Sequence, residues 1–386
     1  MFWLSGETFN QNYRNMLHFR NLHLAAASAV AIAASVIFPV HSEACTGISF
    51  VSKDGSHVLA RSIEWAAERL DSRYVIVPRG YRFQSFTPDG TDGMEYVAKY
   101  GFAGVSVMVD ELMVEGMNEK GLSAGLFFFP EYGSYKPFNP AEKSSTLSDF
   151  QFASWALATC ATVDEVIEAA GKIDVTGLSG SIGAVHWRLA DRTGRQVILE
   201  ITDGEMHFFE NPVGVLTNSP GFQWHLTNLS NYVNLIPGSA GNKTWTSGDG
   251  IYEVKPVSGG SGMLGLPGDY TSPSRFVRIA MFRATAPVPP TAYDAMLQSF
   301  KILEAMVIPI GAVVDVNENS EKTLDMITST QFTTVSDIDN LKFYYRTMDN
   351  SMIRCIDFNT IDFRKVKYVS RPLDNVPEQV QMVAVK

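Results

Sequence analysis

Cys45 is the residue around which chemistry is most readily built in this chain. It directly follows Ser42-Glu43-Ala44, at the end of a leader-like stretch. Arg14 and Arg20 precede a charge-free run, Leu24–Val40, and the small residues Ser42 and Ala44 close it. That is the order of a secretory signal peptide: basic n-region, apolar h-region, small-x-small cleavage site. The run falls short of the roughly 20 apolar residues that cross a bilayer and carries Pro39 near its end. A removed signal over residues 1–44 is therefore expected, not a stable membrane anchor. The polar stretch ahead of Met16 suits a start at Met16 as well as at Met1. Cleavage between Ala44 and Cys45 would leave one periplasmic or secreted domain, residues 45–386, beginning with a cysteine.

A terminal cysteine carries nucleophile and base on one residue. The thiolate attacks carbonyls, but a free thiol with a pKa of about 8.5 is mostly protonated at neutral pH. The α-amine, at about 7.7–8.0, is close to ideal for taking that proton. Such a site needs no histidine. It still needs a cation to steady the thiolate, a carboxylate to orient the amine, and donors for the oxyanion of the tetrahedral intermediate. A bland alternative is the lipid-modified cysteine of bacterial lipoproteins. That modification wants an aliphatic residue three before the cysteine and a small one two before, where this chain has Ser42 and Glu43. A lipid-tethered protein that binds an apolar ligand remains the rival from another class.

The next segment supplies two of the required groups. Cys45 to Ser52 reads as a strand, Lys53-Asp-Gly-Ser56 as a turn, and His57 to Trp65 as the returning strand. A hairpin of that length brings Arg61 and Glu64 back beside Cys45; a surface ion pair is the plain reading of the same two residues.

Cys45-Thr-Gly followed by Ala60-Arg-Ser-Ile-Glu-Trp65 resembles the start of the choloylglycine hydrolase family, which includes conjugated bile-salt hydrolases and penicillin V acylases. The resemblance runs on through Asp92-Gly-Met-Glu-Tyr, Glu115-Gly-Met-Asn-Glu-Lys-Gly-Leu122, Leu216-Thr-Asn-Ser-Pro220, Leu266 to Arg278, Thr333 to Asp337 and Tyr344-Tyr-Arg346. The leader and loops are most similar to periplasmic members from Gram-negative bacteria. The resemblance implies an N-terminal-nucleophile (Ntn) amidase with Cys45 as nucleophile and no cofactor. Arg61 then sits by the thiolate, Glu64 stands where most members have Asp to hold the amine, Asn218 is a side-chain oxyanion donor, and Arg275 is the second arginine. The backbone N–H of Phe128 is the other oxyanion donor, with Phe127 taking that place in an alternative alignment. Trp65, Phe127, Phe129 and Tyr132 lie in segments that border the family's substrate cleft and are expected to bury an apolar acyl group; plain core packing is the other reading. The substrate implied is a small N-acyl amide, with glycine- or taurine-conjugated bile salts first and penicillin V or N-acyl homoserine lactones as alternatives. Homotetramers are common in the family.

The elements that must position these residues are mostly strands. Tyr74–Pro78, the hairpin His186–Ala190 with Gln196–Ile201, Glu205–Phe209, Phe332–Ser336 and Leu341–Arg346 are β-rich and separated by turn residues. Helical patterns cover Leu147–Thr159, Val163–Ala170 with Thr162 as N-cap, Ser274–Arg283 and Thr291–Leu303. Meanders interleaved with helices predict an α+β fold of stacked antiparallel sheets. The resemblance sharpens this to a four-layer αββα sandwich of the Ntn-hydrolase type.

Composition agrees with an enzyme or binding domain. The chain has 386 residues, 45% hydrophobic, with a formal net charge of −10. So acidic a balance argues against nucleic acid or an anionic membrane surface as partner. Three cysteines cannot build a disulfide scaffold. Cys160 and Cys355 read as core thiols, with a mutual disulfide left open. Metal and nucleotide motifs are missing. Gly121-Leu-Ser-Ala-Gly125 matches a nucleophile elbow, but that motif needs a helix after it, and Leu126-Phe-Phe-Phe-Pro130 is β-like. A turn feeding a buried strand is the better account.

Overall fold

The computed structural model describes residues 44–65, 70–178, 183–239, 245–247, 249–250, 252–254, 261–313, 329–375, 380 and 382–383. Apart from Ala44, the expected signal peptide lies outside the described residues. Fourteen strands form two antiparallel sheets. The six-stranded sheet runs, edge to edge, Val215–Leu216, Ala44–Val51, His57–Trp65, Ser329–Asp337, Lys342–Thr347 and Arg354–Asp357. The eight-stranded sheet runs Glu205–Glu210, Gln196–Thr202, Val185–Ala190, Ser123–Phe128, Met113–Asn118, Phe102–Val107, Ser72–Val77 and Val369–Pro372.

Helices Ser272–Thr285 and Ala292–Glu304 pack on the outer face of the six-stranded sheet, and helix Phe152–Thr159 on that of the eight-stranded one. The inner faces meet through Ala44–Val51 against Ser123–Phe128 and Ser329–Asp337 against Met113–Asn118. This is the expected αββα stacking. With both faces covered, the central strands are enclosed along their length: Val185–Ala190 and Met113–Asn118 are buried at every position. Charged residues within such strands are therefore anomalies of burial, and Arg61, Glu115 and Arg188 are three of them.

Local signals placed most elements. The Thr162 hydroxyl caps Val163–Ala170 by accepting from Glu165 N–H, and Thr291 with Asp294 forms a reciprocal capping box on Ala292–Glu304. Gly121, at φ +84°, turns the chain into the buried strand that holds Ser123. No helix follows Gly125, so Ser123 is not on an elbow. The helix expected over Leu147–Thr159 is shorter, Phe152–Thr159. Thr146–Ser148 instead pairs in parallel with Asp174–Thr176, and Asp149 Oδ1 accepts from both Phe150 and Leu178 N–H, which holds this stretch out of the helix. Cys160 is buried as expected, whereas Cys355 is exposed on the edge strand Arg354–Asp357; both thiols are free.

Candidate active site

The hairpin does what its length promised. Its register sets Ala44 opposite Glu64, Cys45 opposite Ile63 and Gly47 opposite Arg61. Arg61 is fully buried between the sheets, and every nitrogen is used. Nη2 donates to Cys45 Sγ at 2.8 Å, Nη1 donates across the sandwich to Val114 O at 2.9 Å and Leu126 O at 2.6 Å, and Nε reaches Ser62 O at 3.4 Å. The guanidinium is thus locked with one edge against the sulfur.

Asn218, on the segment after Val215–Leu216, meets Cys45 from the other side. Cys45 N–H donates to Asn218 Oδ1 at 2.8 Å, as does Arg275 Nη2 at 2.8 Å, while Asn218 Nδ2 donates to Phe128 O at 2.8 Å. Two pure donors on one atom and a carbonyl on the other fix the amide's orientation without ambiguity. The residue expected as an oxyanion donor therefore presents its oxygen to the Cys45 nitrogen. One of its two amide hydrogens is taken by Phe128 O. Arg275 Nη1 binds Cys45 O at 2.6 Å and Thr46 Oγ1 at 2.7 Å, which pins the first two residues of the strand.

Burial pushes the Cys45 thiol above its ordinary range. Arg61, the Phe128 N–H and Arg275 pull it down again, and Glu64 pushes it up. Glu64 is itself buried, and desolvation raises its carboxyl against the pull of Arg275. Its Oε1 accepts from the Thr330 hydroxyl at 3.0 Å, which in turn accepts from Ile308 N–H at 3.0 Å. Glu64 Oε2 has no hydrogen-bond partner among the described residues. A buried thiol, the Asn218 amide oxygen and two guanidiniums converge on one residue, with the Glu64 carboxyl on the facing strand opposite Ala44.

Residues 45–377 match the model of the linear amide C–N hydrolases, choloylglycine hydrolase family. The chain belongs to the choloylglycine hydrolase family. It is 30% identical over 331 residues to a bile salt hydrolase/transferase from Clostridium perfringens, covering 84% of this chain and 95% of that one. It is 26% identical over 379 residues to a penicillin V acylase from Pectobacterium atrosepticum, covering 91% and 90%. A solved structure of a mutant conjugated bile acid hydrolase from Clostridium perfringens superposes with a TM-score of 0.73 at 28% identity, over 88% of this chain and 100% of that one. The fold is thus the Ntn-hydrolase fold, and the chain is a linear amide hydrolase of the choloylglycine hydrolase family.

Within this choloylglycine hydrolase frame, the aromatic residues divide. Phe127 and Phe129 have no exposed surface, which corrects their expected place in a substrate cleft. The Phe127 ring lies between two guanidiniums, 4.3 Å from Arg61 and 5.6 Å from Arg188. Phe129 stacks on His186 at 4.5 Å. Strand alternation explains both: odd positions of this strand and its extension point into the sandwich. Phe128 points the other way and is half-buried, as is Trp65 at the end of its strand, and Tyr132 is exposed beside Phe129 at 6.0 Å.

Sequence reasoning missed the supports. Asn218 N–H donates to Ser272 Oγ at 2.9 Å. Two imidazoles hold successive carbonyls, His186 Nε2 at 3.0 Å from Thr217 O and His225 Nε2 at 2.8 Å from Asn218 O. Burial drops His225 to about 4, so its ring is neutral and donates from Nε2. His186 Nδ1 in turn faces Glu200 Oε1 at 3.2 Å. Scattered histidines gave no periodic signal, because their partners come from different strands.

Proposed function

We propose that this enzyme hydrolyses glycine- or taurine-conjugated bile salts through an acyl-thioester on Cys45, after export and cleavage at Ala44–Cys45. The observation that carries the reading is the meeting of Arg61 Nη2 and Cys45 Sγ at 2.8 Å with Cys45 N and Asn218 Oδ1 at 2.8 Å on the same residue. Freed from Ala44, that nitrogen is an amine two bonds from the Cβ bearing the sulfur. Asn218 Oδ1 already accepts from it, and Glu64 lies opposite the residue removed.

In the proposed cycle the amine takes the thiol proton as sulfur bonds to the carbonyl carbon. The oxyanion is met by Phe128 N–H and the remaining amide hydrogen of Asn218. Collapse breaks the C–N bond, and the ammonium returns its proton to the departing amine. Water, deprotonated by the same nitrogen, then attacks the thioester and releases the acid and the thiol. The half-buried Trp65 and the exposed Tyr132 are the aromatic surface offered to the acyl group.

The bile-salt choice is supported by the similarity to the bile salt hydrolase/transferase from Clostridium perfringens and by the resemblance of the Leu216–Leu229 and Pro267–Phe276 segments to those hydrolases. Penicillin V is the second reading, favoured by the acylase from Pectobacterium atrosepticum, whose similarity extends over 91% of this chain. N-acyl homoserine lactones offer the same apolar acyl and polar amine halves. Parallel hydrolysis of glycocholate, penicillin V and a long-chain acyl homoserine lactone tests the order, with intact mass fixing the first residue. Glycocholate turned over fastest by a chain starting at unmodified Cys45 is expected. A diacylated Cys45, or full activity in Cys45→Ser, would overturn the mechanism.

A further inference from the structure

Behind the thiol lies a second charged group that no step above uses. Arg61 leaves the six-stranded sheet and binds carbonyls of the eight-stranded one. Arg188 does the reverse, donating from Nη1 to Ile48 O at 3.3 Å and Ala60 O at 3.0 Å. Phe127 fills the space between the two guanidiniums. Glu115 serves both, with Oε1 3.3 Å from Arg188 Nη2 and Oε2 3.9 Å from Arg61 Nη1. All three charged residues are at most 1% exposed. The backbone leaves room for them: a Cβ on Gly47 would stand 2.9 Å from both Arg188 Nη1 and the Phe127 ring, and one on Gly125 would stand 2.1 Å from Glu115 Oε2.

We propose that Glu115 and Arg188 are positioning residues which, without reaching the reacting atoms, fix the place of Arg61 and the net charge of the cluster around it, and thereby set the ionisation of the Cys45 thiol. The inference rests on the proposed role of Cys45. Its basis is a charge count in a region without water to screen it. Arg61, Arg188 and Arg275 oppose Glu64 and Glu115, and all five are at most 1% exposed, so with the Cys45 amine in its neutral form one positive charge is left over. A Cys45 thiolate cancels it. Other titratable groups stand farther out: His186 with Glu200 behind Asn218, the neutral His225, and Arg278 with Asp269 beyond Arg275. Burial pushes the Glu115 carboxyl upward, and the two guanidiniums draw it back toward ionisation.

The count makes opposite predictions for its two members. Glu115→Gln leaves two uncancelled positive charges and should lower the Cys45 thiol midpoint by about one unit or more. Arg188→Met leaves none and should raise it by a similar amount. The double variant restores the native count and should bring the midpoint back to within about half a unit. The readout is iodoacetamide alkylation of Cys45 against pH, resolved by peptide mass to separate Cys160 and Cys355. Midpoints unmoved in both single variants would overturn the proposal, as would single variants shifted in the same direction. Should a single variant fail to fold, the double variant decides, because it removes the pair together: a midpoint more than about one unit from native overturns the proposal. Alkylation needs no substrate. Failure here therefore leaves the amidase reading standing, and failure of that reading shows separately as hydrolysis surviving in Cys45→Ser.

Discussion

Asn218→Asp separates two roles that one amide is asked to play. Aspartate keeps an oxygen where Cys45 N–H and Arg275 Nη2 now donate, each at 2.8 Å. It loses both hydrogens of Nδ2 and sets a carboxylate oxygen against Phe128 O, now 2.8 Å from that nitrogen. Leaving the Phe128 carbonyl unpaired costs about 1–3 kcal/mol of stability, offset in part by the tighter pair with Arg275. Loss of one oxyanion donor is worth about 10²–10³ in kcat, or roughly 3–4 kcal/mol. The new charge beside the amine should also favour its ammonium form and move the acid limb of kcat upward by about one unit. Initial rates on glycocholate across pH 4–9, with Tm as a control for folding, measure all three effects. A variant whose kcat stays within about threefold of native would refute the assignment of an Nδ2 hydrogen to the oxyanion and leave Asn218 as an acceptor for the amine alone.

Three further outcomes follow from particular contacts. Gly125→Ala places a methyl 2.1 Å from Glu115 Oε2 and should destabilise the fold by about 1–3 kcal/mol in urea titration; an unchanged midpoint would show that the carboxylate can move away freely. Glu64→Asp withdraws the carboxylate from the Thr330 hydroxyl, now at 3.0 Å, with an expected cost of about 1 kcal/mol and a roughly tenfold fall in kcat/KM; unaltered stability and rate would remove Thr330 from the site's support. Burial lifts Asp149 from 3.8 to about 7, so its protonated form stabilises the fold, a contribution complete below pH 4 and lost as the pH rises to about 7. Asp149→Asn stays neutral and should gain on the native protein across that window, toward an upper bound of about 4 kcal/mol, and a Tm difference independent of pH would refute the shift.

What the residue order settled by itself was local. Period-two apolar patterning and the Lys53–Ser56 turn fixed the hairpin, and with it the nearness of Arg61 and Glu64 to Cys45, since an antiparallel register has no freedom once its turn is set. Thr162 announced its helix through the first-turn N–H it caps. Packing across the sandwich decided the rest. Strand parity could not say that Phe127 and Phe129 face guanidinium and imidazole instead of a ligand, because the inner face of a covered strand and the wall of a cleft look alike in sequence. The motif around Glu115 was visible, but its partner Arg188 is 73 positions away. The Asn218 amide was visible too, yet which end meets Cys45 depends on Phe128 O and Arg275, brought there by a different sheet and a helix. Buried polar groups must find partners wherever the tertiary structure puts them, and that demand leaves no periodic trace along the chain.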